Sequence, residues 1–458
     1  MGPTRREAVI GALAIAAAPY VARARHSKAP NIVFIMADDL GWGDLGCYGN
    51  TDFRTPALDA LASRGVRLTQ AYANSCVCSA TRMALITGRY QYRLRGGLEE
   101  PIKEKPDPRL GLPPSHPTLP STLKMAGYHT ALIGKWHLGY QPWFGPLKSG
   151  YDEFFGIRSG GVDYFTHKSV IGKPDLWDGD RLSDEHGYLT DLLTARAVKY
   201  LRKRATRPGQ PFLLSLHYTA PHWPWETEQD APRAAELKEL FDFGGGSLTT
   251  YAAMVRSLDR GVGAVLAALV ESGLDHDTIV VFTSDNGGER YSKMWPLVGE
   301  KGDLLEGGIR VPNLISFPSV LPEGRTSDQV AISMDWMATL LNVAGVRPVL
   351  PLDGIDLLPM LAGSSSQVPR RLFWRFVGQH QAAVRDGQLK YLRVGKNEYL
   401  FDISKDPRER ANLAAARPAD LSRLRNAFAD WNATMLPDKG VEGYAFGSDV
   451  LAGRPDGD

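Results

Sequence analysis

Short apolar runs alternate with amphipathic segments along most of the chain. The apolar runs lack the polar alternation of a strand that faces solvent, so they predict strands buried on both faces. These strands are predicted at 31–37, 130–136, 211–218 and 278–284. Segments with helical spacing are predicted as helices at 56–65, 119–128, 191–205 and 251–273. This order predicts an α/β fold in which helices sandwich a large, mostly parallel sheet.

The pattern changes near residues 352–363. Shorter strands are predicted beyond it, at 388–394 and 398–404, and a last helix begins at Pro418. We therefore predict a main domain at 30–366 and a smaller C-terminal α+β domain at 367–458.

The N-terminus has the pattern of an export signal. Arg5 and Arg6 precede an apolar run at 8–18, and a small-x-small cleavage site follows at 22–24. The apolar run is too short to cross a bilayer core of about 30 Å. We predict a signal peptide at 1–24, of the twin-arginine type, and a periplasmic or secreted mature protein without a membrane span.

Charge and cysteine content exclude some classes of protein. The 458 residues include 53 Lys and Arg against 51 Asp and Glu, which gives a formal net charge of +2. The overall charge therefore does not favour binding to nucleic acid or to an acidic membrane. Three cysteines are an odd number, which argues against a framework of stabilising disulfides.

Two predicted strands end in hard oxygen donors. Asp38 and Asp39 follow the first strand, and Asp285 and Asn286 follow the strand at 278–284. Ligands of open α/β sheets lie beyond the carboxyl ends of the strands. Either doublet alone is better explained as a helix cap or a turn. Together they predict a site for Ca²⁺ or Mg²⁺.

A cysteine and an arginine are spaced by one helical turn in CSATRMALITG. If a helix begins there, Cys78 lies at its positive end and Arg82 lies on the same face. That arrangement suits an oxyanion such as sulfate or phosphate. A buried small cysteine beside a surface arginine explains this stretch equally well.

Three further segments contribute cations and imidazoles. Lys135 and His137 in ALIGKWHLG would point to one side of an extended segment. His222 follows a strand, and Lys301 lies in a glycine-rich loop. Singly, His222 is more often a structural histidine and Lys301 a solvated charge. Together the groups complete a set of metal ligands, nucleophile, acid/base groups and anion-binding cations.

At this point the chain resembles the sulfatases of the alkaline-phosphatase superfamily, from about residue 30 to residue 410. The motifs that carry the resemblance are NIVFIMADDLGWGDLGCYGN, CSATRMALITGRY, GYHTALIGKWHLG, APHWP, TIVVFTSDNGG, KGDLLEGGIRVP and YLFDISKDPRERANL. The resemblance implies that Cys78 is oxidised to formylglycine, whose hydrated aldehyde is the nucleophile. Cys76 does not fit the motif, because its arginine would fall at Ala80.

The resemblance also assigns roles to the other residues. It implies that Asp38, Asp39, Asp285 and Asn286 hold a Ca²⁺ that formylglycine 78 also contacts. Arg82 would fix the diol, while Lys135 and Lys301 would pair with sulfate oxygens. Ser159 matches a looser position that hydrogen-bonds the substrate. His222 would protonate the leaving alcohol, and His137 would deprotonate the second hydroxyl of the diol.

Partners and substrate follow from the same resemblance. A formylglycine-generating enzyme is implied, although Ala80 stands where many members have proline, so the motif does not specify which one. Family habit favours a carbohydrate sulfate over a simple aryl sulfate. Trp223 and Trp225 would stack on a sugar or simply pack. The alternatives are a phosphonate or phosphate-diester hydrolase of the same superfamily, and an inactive anion- or glycan-binding protein.

Overall fold

A ten-stranded sheet forms the centre of the computed structural model, which describes residues 29–236 and 245–438. The strands are β1 (Asn31–Ala37), β2 (Val66–Leu68), β3 (Ala71–Tyr72), β4 (His129–Gly134), β5 (Glu153–Gly156), β6 (Trp177–Asp178), β7 (Arg181–Leu182), β8 (Phe212–His217), β9 (Thr278–Ser284), β10 (Asn313–Ser316), β11 (Arg325–Ser327), β12 (Ala331–Ile332), β13 (Arg371–Phe376), β14 (Gln381–Asp386), β15 (Leu389–Val394) and β16 (Asn397–Asp402). The large sheet has the order β11-β2-β10-β9-β1-β8-β4-β5-β6-β7.

The helices lie on both faces of this sheet and beside the smaller one. They are α1 (Pro56–Ser63), α2 (Cys78–Thr87), α3 (Leu119–Met125), α4 (Leu189–Ala205), α5 (Ala231–Ala234), α6 (Leu248–Glu271), α7 (Glu306–Ile309), α8 (Asp335–Val343), α9 (Leu358–Leu361) and α10 (Pro418–Asn432). Among the described residues, none of these helices is both long and apolar enough to cross a membrane. The predicted signal peptide at 1–24 lies outside the described residues.

Strand β1 shows why the central runs carry no polar alternation. Val33 and Ile35 face a core that contains side chains of α1, α4 and α6. Ile32 and Phe34 face a second core with side chains of α2, α3 and α8. Strands β9, β1, β8, β4 and β5 are parallel neighbours, and both faces of such strands are covered by crossover helices. The predicted α/β fold class is confirmed.

The C-terminal part is a four-stranded antiparallel sheet, β13 to β16, with α10 on one face. Its other face presents Leu372, Trp374 and Phe376 to an apolar cluster that includes Cys76 and Ala80. The sheet therefore packs directly against the segment that enters α2. We propose that the boundary between the two parts lies near residue 367, just before β13.

A buried ionic cluster joins the two parts. Lys390 of β15 contacts Glu306 at 3.0 Å and Glu409 at 2.9 Å, and all three side chains are fully buried. Glu409 also accepts a hydrogen bond from the backbone N–H of Glu306 at 2.6 Å. Tyr72 donates its hydroxyl to Glu306 at 2.6 Å. Removing Lys390 would take the shared cation from two buried carboxylates, and Glu306 would keep Arg310 at 3.5 Å as its neighbouring cation, so the loss is strongly destabilising.

We expect Lys390→Met to lower the free energy of unfolding by about 3–5 kcal/mol, because two buried carboxylates lose their shared cation. Denaturant unfolding followed by tryptophan fluorescence measures this loss. Arg425→Met is the matched control, since Arg425 pairs with Glu398 at the surface and such pairs contribute little. Equal effects of the two variants would contradict this prediction.

Candidate active site

Acidic side chains converge where β1 and β9 end. The two strands pair in parallel with Ala37 opposite Ser284, so the residues that follow them emerge side by side. Asp38 and Asp39 follow β1, Asp285 and Asn286 follow β9, and all four are buried. Asp39 has a φ of 63°, and its N–H donates to Asp285 at 3.3 Å. Asn286 donates its side-chain N–H to Asp39 at 2.7 Å.

Two oxygens of this group have no hydrogen-bond partner. They are Oδ1 of Asp38 and Oδ1 of Asn286, both fully buried. Buried polar atoms without a partner are rare and point to an absent ligand. Burial and the neighbouring Asp285 carboxylate raise the pKa of Asp38 to about 8. A cation would satisfy both oxygens and relieve the repulsion, so these hard oxygen donors fit Ca²⁺ or Mg²⁺.

Cys78 is the first residue of α2, as the motif predicts. Its Sγ lies 3.3 Å from Nδ1 of His137 and groups with carboxylate oxygens of Asp38 and Asp285 within 4.8 Å. Burial raises the pKa of the Cys78 thiol. The helix ends at Gly88, whose φ of 64° allows the chain to turn. Cys76, Cys78 and Cys47 are all free, so no disulfide links Cys76 to Cys78.

The tautomer of His137 is set by a residue that sequence reasoning missed. Nε2 of His137 lies 2.9 Å from the carbonyl oxygen of Ile102, which can only accept, so Nε2 carries the proton. The lone pair of Nδ1 therefore faces Cys78. Ser79 accepts a hydrogen bond from the N–H of Ile102 at 2.8 Å and fixes this carbonyl. Burial holds the pKa of His137 well below its usual range, so the ring is neutral.

Arg82 is a buried residue and not a surface residue. It is 1% exposed and donates from Nε and Nη2 to one oxygen of Asp285, at 3.0 and 2.8 Å. Nη1 donates to the carbonyl oxygen of Lys135 at 3.2 Å and faces Nδ1 of His217 at 3.4 Å. The surface-arginine explanation is therefore wrong. His217, whose pKa burial and Arg82 lower to about 3, is a second residue that the sequence analysis missed.

The two lysines each pair with a carboxylate of the site. Lys135 contacts Asp38 at 2.6 Å and Lys301 contacts Asp39 at 2.7 Å. Although burial opposes it, the Asp39 carboxylate raises the pKa of Lys301. The prediction that Lys135 and His137 lie in one extended segment is wrong, because β4 ends at Gly134 and His137 has a φ of 53°. The left-handed backbone directs the ring of His137 to Cys78.

His222 and its neighbouring tryptophans are buried. Nδ1 of His222 lies 2.6 Å from the carbonyl oxygen of Trp223, so it carries the proton, and Nε2 lies 3.6 Å from Asp39. Burial and Lys301 hold the pKa of His222 well below its usual range. The Trp223 ring packs on the His222 ring at 4.8 Å between centroids, and Trp225 packs on Tyr291 at 5.0 Å. Both tryptophans belong to the core.

Ser159 lies just before two glycines whose backbone lines the imidazole rings of His137 and His222. Its hydroxyl donates to the carbonyl oxygen of Gly161 at 3.1 Å, and its N–H donates to Asp175 at 2.8 Å. A side chain at Gly160 would collide with His137, and one at Gly161 would come close to His222. The glycines thus allow this loop to approach the two rings, while the Ser159 hydroxyl is directed to its own loop.

The acidic side chains of the site each face a cationic side chain without any added ion. Three carboxylates, Asp38, Asp39 and Asp285, face three cations, Arg82, Lys135 and Lys301. A divalent cation would leave the site with an excess positive charge. That excess favours an anionic ligand, and both lysines could then turn from the carboxylates to the ligand.

Comparisons with known proteins agree with this chemistry. The sulfatase family model matches residues 30–346, and the model of the C-terminal part of N-sulphoglucosamine sulphohydrolase matches residues 300–426. Arylsulfatase J of Mus musculus is 30% identical over 89% of this chain and 76% of its own length. N-acetylgalactosamine-6-sulfatase of Canis lupus familiaris is 32% identical over 79% of this chain and 71% of its own.

A solved structure has a similar fold. Ps i-CgsB in complex with k-i-k-neocarrahexaose superposes with a TM-score of 0.80 and 29% sequence identity. The match covers 91% of this chain and 95% of that one, so it includes both the large sheet and the C-terminal sheet.

Proposed function

Because the chain belongs to the sulfatase family, we propose that it hydrolyses a carbohydrate sulfate monoester with formylglycine formed from Cys78 and a bound Ca²⁺. One observation carries the proposal. The buried Cys78 sulfur lies beside the lone pair of His137 and beside the carboxylates of Asp38 and Asp285. A nucleophile, its base and a metal position thus share one small volume at the end of β1 and β9.

Two groups that the proposed reaction needs would be held by residues around this volume. Formylglycine would be formed at position 78, and Asp38, Asp39, Asp285 and Asn286 would hold the ion. The hydrated aldehyde supplies a nucleophilic hydroxyl and the ion supplies positive charge for the sulfate oxygens. Arg82 donates two hydrogen bonds to Asp285 and so fixes the orientation of this proposed metal ligand.

His137 acts as a base at Nδ1. Its proton is held at Nε2 by the Ile102 carbonyl, and its pKa is held well below its usual range. The neutral ring therefore presents a lone pair 3.3 Å from the Cys78 sulfur. A neutral imidazole in this orientation accepts a proton from a hydroxyl at position 78.

His222 acts as the acid for the leaving alcohol. Its Nδ1 proton is held by the Trp223 carbonyl, so Nε2 is the atom that gains and releases a proton. The Asp39 carboxylate at 3.6 Å and the negative charge of a bound ester both favour protonation of Nε2. Lys135 and Lys301 stabilise charge on the sulfate oxygens once they leave Asp38 and Asp39.

The carbohydrate substrate is proposed from the relatives. N-acetylgalactosamine-6-sulfatase is named for a sugar sulfate, and Ps i-CgsB was solved with a carrahexaose. Trp223 and Trp225 do not add to this argument, because both are buried in the core. The sequence further supports export through the signal at 1–24 and maturation by a formylglycine-generating enzyme.

The substrate class is tested by release of inorganic sulfate. We expect turnover of sulfated sugars, and a higher kcat/KM for an aryl sulfate than for the matched aryl phosphodiester. Lys135, Lys301 and the metal would together stabilise charge on the three non-bridging sulfate oxygens. A higher kcat/KM for the phosphodiester would favour the alternative hydrolase, and no turnover of sulfated sugars or of either aryl ester would favour a binding protein.

Position 78 is tested by mass spectrometry and substitution. We expect the tryptic peptide with Cys78 to carry an aldehyde, and Cys78→Ala to abolish turnover. Cys78→Ser should fail in multiple turnover, because a sulfated serine has no second hydroxyl on the same carbon whose oxygen could form a carbonyl and expel sulfate. Cys76→Ala is the matched control and should retain activity. Repeated turnover by protein with only cysteine or serine at position 78 would exclude this mechanism.

The metal is tested with Asp285→Asn, which keeps an acceptor for Arg82 but removes one ligand charge. We expect about one Ca²⁺ per chain in the native protein, and binding weakened by about tenfold or more in the variant. Calorimetry and elemental analysis measure both. Asp353→Asn is the matched control, since Asp353 also binds an arginine fork, that of Arg93. Unchanged Ca²⁺ affinity in Asp285→Asn would remove Asp285 from the ligand set.

A further inference from the structure

The loop of residues 298–305, here called the Lys301 loop, is attached to three parts of the molecule. The N–H of Lys301 donates to the carbonyl oxygen of Gly288 at 2.9 Å, just beyond the metal ligands. The N–H of Gly302 donates to the carbonyl oxygen of Cys76 at 3.0 Å, two residues before Cys78. The backbone of this loop therefore contacts both segments that supply the candidate site.

The third attachment is a side chain of the C-terminal sheet. Gln381 is the first residue of β14 and is 2% exposed. Its Oε1 accepts a hydrogen bond from the N–H of Leu304 at 2.7 Å. Its Nε2 donates to the carbonyl oxygen of Gly302 at 2.9 Å. The side-chain amide of Gln381 thus binds the backbone on the C-terminal side of Lys301 both as a donor and as an acceptor.

Two glycines of the loop adopt a backbone conformation that other residues rarely adopt, and the hydrogen bonds of Gln381 help to fix it. Gly299 and Gly302 have φ values of 87° and 91°, a region that glycine enters freely. The long Lys301 side chain is itself flexible. The position of its ammonium group therefore depends on how firmly the Lys301 backbone is held. An error of about 1 Å at a charge that binds a reacting group is costly in rate.

We propose that Gln381 is a positioning residue for Lys301, through which the C-terminal sheet sets the geometry of sulfate binding. The proposal rests on the function proposed above for Lys301. Gln381 would act without touching the substrate. It fixes the carbonyl of Gly302 and the N–H of Leu304, so that Lys301 reaches Asp39 in the free protein and a sulfate oxygen in the complex.

The matched pair of variants is Gln381→Met and Tyr92→Phe. Methionine keeps the length of glutamine and removes both hydrogen bonds to the Lys301 loop. The Tyr92 hydroxyl also makes two buried hydrogen bonds to the C-terminal sheet, donating to the carbonyl oxygen of Arg375 at 2.6 Å and accepting from its N–H at 3.1 Å. Gln381→Met removes two hydrogen bonds to the Lys301 loop, whereas Tyr92→Phe removes two hydrogen bonds to β13, outside that loop.

We expect Gln381→Met to lower kcat/KM by about tenfold and to weaken inhibition by inorganic sulfate by a similar factor. Tyr92→Phe should change both by less than about twofold at a comparable loss of stability. Hydrogen exchange read by mass spectrometry should accelerate in peptides of 298–305 only in Gln381→Met. If Gln381→Met does not fold, Gln381→Asn keeps a neutral amide on a shorter side chain and should show a smaller loss.

A double-mutant cycle decides whether the effect passes through Lys301. In a Lys301→Ala background, Gln381→Met should change kcat/KM by less than about twofold. The same loss in both backgrounds, or equal kcat/KM for Gln381→Met and Tyr92→Phe, would overturn the proposal. Failure of the native protein to release sulfate would overturn the proposed function instead. The exchange comparison would then still show whether Gln381 holds the loop.

Discussion

Complete pairing of buried charge is the constraint on which the rest of the structure depends. Three carboxylates and three cations meet at the ends of β1 and β9, and none of their side chains is more than 6% exposed. Desolvation of so many charges is tolerable only when each has a close partner of opposite sign. The partners come from β1, α2, the segment after β4 and the Lys301 loop. These elements are therefore fixed relative to one another, and Lys390 extends the same constraint to the C-terminal sheet.

The central sheet and the ligand group were predictable from the sequence. Strands β1 and β9 have the predicted bounds, because their apolar runs are uninterrupted and end in acids. Neighbouring parallel strands then bring the acids together without further information. The short strands β2, β10 and β11 were not predicted. Three or four residues carry little periodicity, and their pairing depends on contacts distant in sequence.

The residues that orient the site were not predictable in the same way. Ile102 acts through its backbone carbonyl, which has no side-chain signature. His217 lies at the end of a buried strand and resembles any core histidine. Gln381 belongs to another sheet, and only the tertiary structure brings it to the Lys301 loop. Sequence motifs identify the side chains that contact a ligand. The groups that hold those side chains in place come near them only in the tertiary structure, so no motif marks them.

The burial of Cys78 has a consequence for the order of events during biosynthesis. The thiol is 2% exposed, every residue of α2 is buried, and strand β13 of the C-terminal sheet packs on the segment that leads into this helix. An enzyme that modifies this side chain has to surround it, which the folded chain does not permit. The covering strands are synthesised after Cys78 and, at ~5–20 residues per second, follow it by tens of seconds. For the modification proposed above, the chain would therefore leave only the interval before these strands cover Cys78.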